Sequence, residues 1–130
     1  MIIVYGIPNC DTVKKARAWL AEQGISHTFH DFKKQGVSAR QLTLLSEAAG
    51  WDRLLNRKGT SWRKLGDAAQ AAVVDAAGAR ALMLANPSLI KRPVVEWGEQ
   101  VTVGFDAAAW RAAALLSAYR TLHPETGLTP

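Results

Sequence analysis

From Ile2 to Tyr5 the chain is apolar, and Gly6-Ile7-Pro8-Asn9 closes the run, which predicts a short strand entering a turn. The period then changes. Val13, Ala16, Trp19 and Leu20 recur at spacings of three and four, while Lys14, Lys15, Arg17 and Glu22 occupy the other positions. This predicts a helix that opens at Cys10-Asp11-Thr12 and stops at Gly24. Ser26 to Phe32 alternates polar and apolar residues, as a half-buried strand does. Strand, helix and strand in this order make a βαβ unit, with a right-handed crossover and parallel strands as the expected geometry.

The middle of the chain reads as helical. Ser38 can cap a helix running to Gly50 with Leu42, Leu45 and Ala49 on one face. Trp62 to Ala85 is Ala-rich, with Asp67 and Asp75 placed as helix caps, and Asn86-Pro87-Ser88 ends it. Val94 to Trp97 and Val101 to Val103, separated by Gly98-Glu99-Gln100, predict a hairpin. Asp106 then caps a last helix with Ala109, Trp110, Ala113, Leu116 and Leu122 as its apolar positions. The order βαβ, helices, ββα is that of an α/β, thioredoxin-like domain with a helical insertion between its halves. On this reading residues 1–120 form one domain, the insertion occupies about 38–88, and 121–130 are a flexible tail with two Pro and a Gly.

The composition fits a folded domain. A chain of 130 residues with 48% hydrophobic and 21% charged residues is neither disordered nor disulfide-built in character. The N-terminal run is too short and lacks the basic residues of a secretion signal, and no stretch approaches the roughly 18 apolar residues of a membrane span. A cytoplasmic protein that makes no use of membranes is the expectation, in a compartment where thiols stay reduced. The net charge of +5 favours anionic partners. Arg53, Arg57, Lys58, Arg63 and Lys64 lie between Asp52 and Asp67 with no acid among them, and Lys91-Arg92 forms a second pair. No zinc-finger, basic-zipper or aromatic RNA-binding pattern accompanies these residues, which argues against nucleic acid.

Cys10 is the single cysteine, so no internal disulfide can form. Its place between a strand and a helix gives a thiolate unpaired backbone amides and the positive end of the helix dipole. The same turn can cradle an oxyanion. Pro8, Asn9, Asp11 and Thr12 around it describe an exposed turn and weigh against a buried, inert thiol. Val13 stands where a Cys-x-x-Cys motif would have its second sulfur, so any redox disulfide of Cys10 is formed with another molecule. Glutathione, anionic and abundant in the cytosol, is the natural co-substrate, and no bound cofactor is needed. Cys10 with His27, His30 and His123 offers no metal-ligand spacing. Arg92-Pro93 stands at the start of a predicted strand, where Pro is tolerated and a cis bond is cheap. In a thioredoxin-like fold such a proline faces the active-site loop and would bring Arg92 close to Cys10.

Three separated segments carry a more specific signal. Gly6-Ile7-Pro8-Asn9-Cys10-Asp11-Thr12-Val13-Lys14-Lys15-Ala16, Asn56 to Leu65 (NRKGTSWRKL), and Asn86 to Val94 (NPSLIKRPV) resemble the ArsC/Spx family, and most of all its YffB-like branch. The resemblance runs in order from residue 2 to about 117. It implies a thioredoxin-like domain with a helical insertion and a nucleophile at Cys10. In the glutaredoxin-linked arsenate reductases of the family the cysteine attacks arsenate, glutathione resolves the adduct, and three arginines hold the oxyanion. Arg92 matches the arginine before the cis-proline. Leu54-Leu55 is followed by Asn56, so Arg57 falls one position late, and Phe105 stands near the place of the third arginine. The Spx branch resembles this chain in outline and implies a regulator that binds RNA polymerase, usually with a Cys-x-x-Cys switch that Val13 removes.

The resemblance to the YffB-like branch implies a glutathione-dependent thiol or disulfide reductase with one nucleophilic cysteine. Cys10 and Arg92 would be its catalytic pair, and Asn9, Asp11, Thr12, Arg57, Lys58, Arg63 and Pro93 would bind glutathione or a small oxyanion or disulfide substrate. Glutaredoxin is a further expected partner. An arsenate reductase with an incomplete anion site and a non-catalytic, Spx-like RNA polymerase-binding regulator are the alternatives.

Overall fold

The computed structural model describes residues 1–124. In chain order its elements are β1 (Ile3–Gly6), α1 (Asp11–Glu22), β2 (Thr28–Asp31), α2 (Phe32–Gln35), α3 (Ala39–Ala49), α4 (Trp51–Leu54), α5 (Thr60–Arg63), α6 (Asp67–Ala71), α7 (Ala76–Ala85), a 3-10 turn (Pro87–Leu89), β3 (Val94–Glu96), β4 (Val101–Val103) and α8 (Ala107–Leu122). The chain's internal contacts divide into two compact units, one of Met1–His30 with the residues from Arg92 onward, the other Asp31–Lys91. The predicted insertion at about 38–88 falls within the second.

In the first unit the strand order is β2-β1-β3-β4, so the N-terminal strand lies inside the sheet. β1 and β3 are antiparallel with Val4 opposite Val95 and Tyr5 opposite Val94, and β3 and β4 are antiparallel through the predicted hairpin. Trp97 N donates to Gln100 O at 2.8 Å, and Gly98 turns the chain at a φ of 106°, which a side chain would resist. Because side chains alternate across a strand, Val4 and Val95 share one face. Both are fully buried in a cluster with Ala16 and Leu20 of α1, Trp97, and Trp110 and Ala113 of α8. Trp110 is its centre, with Trp97, Phe105 and Trp19 ring centroids 5.3, 4.8 and 6.0 Å away, each edge-on. Its indole N–H donates to Gly104 O at 3.2 Å, and that of Trp97 donates to Thr102 Oγ1 at 2.9 Å, so neither buried donor is stranded.

On the other side of β1, Tyr5 donates a short hydrogen bond to Glu96. Its burial, and then the Glu96 carboxylate beside it, push the Tyr5 hydroxyl well above its ordinary range, so it stays protonated at physiological pH.

In the second unit α3 packs against α4 and α7. Its start is fixed by a reciprocal cap, Gln41 N donating to Ser38 Oγ at 3.0 Å and Ser38 N to Gln41 Oε1 at 2.9 Å. Leu42, Leu45, Leu54, Leu55, Met83, Leu89 and Ile90 are buried. Leu55 and Ile90 form an isolated bridge flanked by Asn56 N to Leu89 O and Lys91 N to Leu54 O, both 2.8 Å.

Four expectations need correction. The strand predicted from Ser26 to Phe32 is confined to Thr28–Asp31, because the buried Asp31 carboxylate accepts from Lys33 N and Lys34 N and turns the chain into α2. Asp75 caps α7, accepting from Gly78 N at 2.8 Å, but Asp67 is the first residue of α6 and Gly66 occupies the cap position. Ala109 and Leu122, read as apolar positions of the last helix beside Trp110 and Ala113, are exposed, Leu122 by 76%. Thr121 and Leu122, assigned to a flexible tail, complete α8, and the rest of that tail from residue 125 lies outside the described residues.

Arg120 of α8 has a consequence for stability. Its side chain is 16% exposed and meets Glu99 at 3.5 Å through Nη1, while buried Nε and Nη2 have no hydrogen-bond partner among the described residues. A buried guanidinium satisfied on one edge loses its hydration for little return. Arg120→Met, which keeps the stem and drops the charge, should melt at the wild-type temperature or a few degrees above it. A clear fall in calorimetric melting temperature would show that the ion pair is a net stabiliser.

Candidate active site

The site begins with a close approach. Gly6 ends β1, and a Cβ added there would lie 2.8 Å from Val13 Cγ2, so the absence of a side chain lets the first turn of α1 sit against the strand end. Between them Cys10 takes the N-cap position with extended backbone at φ −96° and ψ 123°. Its carbonyl accepts the first helical bond, from Lys14 N at 2.9 Å, and its N–H donates to Ile7 O at 3.4 Å. No side chain caps α1, so the first-turn amides of Asp11, Thr12 and Val13 open toward the residue that carries the thiol. Cys10 is partly exposed, and Asn9, Asp11 and Thr12 are exposed around it.

The Arg92–Pro93 peptide is cis, and Pro93 is buried with its carbonyl accepting from Gly104 N at 2.8 Å. Carrying the β1–β3 register one residue beyond the Tyr5 and Val94 pair sets Pro93 level with Gly6. Arg92-Pro93 therefore enters the sheet beside the end of the strand that delivers Cys10. Arg92 is half-buried, with its Nε shielded from solvent.

Arg57, Lys58 and Arg63 belong to the second unit, and all three are exposed. Within that unit they form a braced basic loop. Arg57 pairs with Asp52, and its guanidinium lies 5.5 Å from the Trp51 ring and 5.9 Å from the Trp62 ring. Lys58 N donates to Asn56 Oδ1 at 3.0 Å, and Arg63 Nη1 donates to the Lys58 carbonyl at 3.0 Å. Trp51, Trp62 and Asp52 were not picked out from the sequence as site residues, although a tryptophan on either side of Arg57-Lys58 was a visible sign. Phe105 packs edge-on against Trp110 and Trp19 in the core of the first unit. An aromatic residue serving the interior thus stands near the place where the family pattern puts its third arginine.

Among the described residues no group of three or more His, Cys, Asp or Glu could hold a metal, and no helix is long and apolar enough to cross a membrane. What the first unit does assemble is a partly exposed thiol at the N-terminus of a 12-residue helix, with an arginine and a buried proline at the neighbouring strand. A four-stranded sheet of order β2-β1-β3-β4, helices α1 and α8 sharing its core, and this pairing of cysteine loop and cis-proline define a thioredoxin-like α/β domain.

The chain belongs to the ArsC family, whose model matches residues 5–113. A solved structure described as a YffB protein is 47% identical, superposes with a TM-score of 0.83, and covers 87% of this chain and 98% of its own. An arsenate reductase-related protein from Brucella melitensis is 50% identical with a TM-score of 0.69, covering 85% and 92% of the two chains. An uncharacterised protein of Haemophilus influenzae is 41% identical over 113 residues, which are 87% of this chain and 98% of that one.

Proposed function

We propose that the protein is a glutathione-dependent thiol or disulfide reductase in which Cys10 is the one nucleophile. The observation that carries this reading is the placement of a partly exposed cysteine as the N-cap residue of α1, at the end of the strand beside Arg92-Pro93. Membership of the ArsC family and the likeness to an arsenate reductase-related protein support it.

In the first step the Cys10 thiolate attacks one sulfur of a substrate disulfide, an S–S bond forms to Cys10, and the other sulfur leaves as a thiolate that takes up a proton. A glutathione thiolate then displaces the retained half of the substrate and leaves Cys10 joined to glutathione. A second glutathione, or glutaredoxin, attacks that mixed disulfide and returns Cys10 to its thiolate. In sum two glutathione thiols are oxidised to glutathione disulfide and one substrate disulfide is reduced to two thiols. The first-turn amides and Arg92 stabilise the thiolate both as attacking and as leaving group. Exposed Asn9, Asp11 and Thr12 frame the thiol, and buried Pro93 lies level with Gly6 on the neighbouring strand. Exposed Arg57, Lys58 and Arg63 contribute to the net positive charge that favours an anionic co-substrate such as glutathione.

The test is incubation with glutathione disulfide followed by intact-mass analysis, together with iodoacetamide alkylation at neutral pH. One glutathionyl adduct mapped to Cys10, and an alkylation rate that falls about threefold or more in Arg92→Ala, are expected. An unmodified Cys10, or one that alkylates at the same rate in both proteins and in the unfolded chain, would overturn the reading.

A further inference from the structure

The sheet has a second end. Cys10 follows Gly6, where β1 stops, whereas Glu96 pairs with Ile3 at the start of β1 and the hairpin turn of Trp97, Gly98 and Glu99 lies just beyond it. Between that turn and Ser117, Arg120 and Thr121 of α8 is a cavity of about 220 Å³, formed wholly by residues of the first unit. At ~30 Å³ per molecule it has room for about seven waters, or for one small organic molecule in their place.

One cation lines this cavity with little to answer its charge. The Arg120 guanidinium carries five N–H donors. Glu99 meets it through Nη1 at 3.5 Å, and Nε and Nη2 are buried without a hydrogen-bond partner among the described residues. A charge so weakly compensated, in a cavity that the buried Trp97 also lines, acts on the space before it with less screening than at an open surface. One turn of helix away, Thr121 donates its hydroxyl to Ser117 O at 3.0 Å, but the Ser117 hydroxyl has no hydrogen-bond partner among the described residues. Gly98 offers no side chain to fill the space in front of it: a Cβ there would stand 4.0 Å from Ser117 Oγ.

We propose that this cavity binds the carboxylate of a small organic acid, which displaces Glu99 from Arg120 Nη1 and accepts from the Ser117 hydroxyl. Glu99 is itself a carboxylate, and at 72% exposed its side chain can swing into water at little cost. Its 3.5 Å contact is longer than the about 2.7–2.9 Å of a good charge-assisted bond, so an acid free of the hairpin turn can approach more closely. Arg120 is the only basic side chain among the described residues that line the cavity. A single guanidinium matches a monocarboxylate and leaves a phosphate dianion half neutralised. The site lies at the opposite end of β1 from Cys10, so it owes nothing to the thiol, and Cys10→Ser should bind the acid as the wild type does.

Amide NMR of the isotope-labelled full chain, titrated with propionate against sodium chloride at equal ionic strength and neutral pH, reads weak binding residue by residue. The amides of Gly98, Glu99 and Thr121 should move along saturating curves, with a Kd of about 1–10 mM. Arg120→Met, expected above to keep its fold, should weaken binding tenfold or more, and Ser117→Ala about threefold. Glu99→Gln removes the competing carboxylate and should tighten binding about threefold or more. Shifts that fail to saturate in both the wild type and Glu99→Gln overturn the proposal, as does binding that is unchanged in Arg120→Met or weaker in Glu99→Gln. Inorganic phosphate binding more tightly than propionate overturns the assignment to a monocarboxylate.

Discussion

Serine in place of Cys10 should abolish glutathione-dependent disulfide reduction, by on the order of 10³-fold or more, and leave the fold intact or slightly stabilised. The first half follows from sulfur chemistry. A serine hydroxyl remains protonated at neutral pH and cannot form the mixed disulfide through which exchange passes. The second half follows from the position. Cys10 is the N-cap of α1, and no side chain accepts a hydrogen bond from the first-turn amides. Serine is among the best residues for that role, and a new cap is worth about 0.5–1 kcal/mol. A melting temperature equal to or a few degrees above wild type, with no turnover in a coupled glutathione assay, is the expected pair of results. Turnover within tenfold of wild type would mean that the nucleophile lies elsewhere.

Trp110→Ala should have the opposite profile, with little left of the fold on which activity depends. Trp110 is 1% exposed, touches three other aromatic rings and donates to Gly104 O. Truncating a buried tryptophan costs about 3–5 kcal/mol, a large part of the 5–15 kcal/mol that holds a typical domain together. A fall of about 10–20 °C in melting temperature is expected. Leu115→Ala on the solvent side of the same helix should change it by no more than a degree or two. Equal effects at the two positions would contradict the core described above.

The difference between those two positions also shows where sequence patterns stop being informative. The cap at Ser38 was legible because a serine ahead of an apolar-periodic run is a local signal, and so were the hairpin at Gly98 and the helix opening after Cys10, while the answering bond from Gln41 came only with the structure. In α8 nearly every position is apolar or small, so the apolar positions read from the sequence include Ala109 and Leu122, which are exposed, beside Trp110 and Ala113, which are buried. Asp67 looked like a cap because acidic residues favour helix starts, and it does stand in the first turn of α6, one residue after Gly66, whose φ of 84° suits a glycine. Ser26 to Phe32 kept a strand's alternation, while the turn imposed by Asp31 depends on where its carboxylate points.

The candidate site divides in the same way. Cys10, Asn9, Asp11 and Thr12 are neighbours in sequence, and Arg92-Pro93 joins them through the pairing of β1 with β3, which neither the βαβ nor the hairpin pattern gives and which was expected only from the thioredoxin-like reading. Arg57, Lys58 and Arg63 were legible as a charge run. Their bracing by Asp52, Trp51 and Trp62 was not, because aromatic faces turned toward a guanidinium leave no periodic trace in the sequence.

The pairing of Ile3 with Glu96 and of Tyr5 with Val94 also sets the order in which this chain can fold. The strand made first during synthesis has to wait for one of its two neighbours until some ninety residues have followed it. Closing so long a loop is entropically costly, and such distant contacts slow folding. The nucleophile's loop and its arginine are aligned only when β3 docks on β1, so that a nascent chain carries its thiol well before the arginine that would serve it has been made.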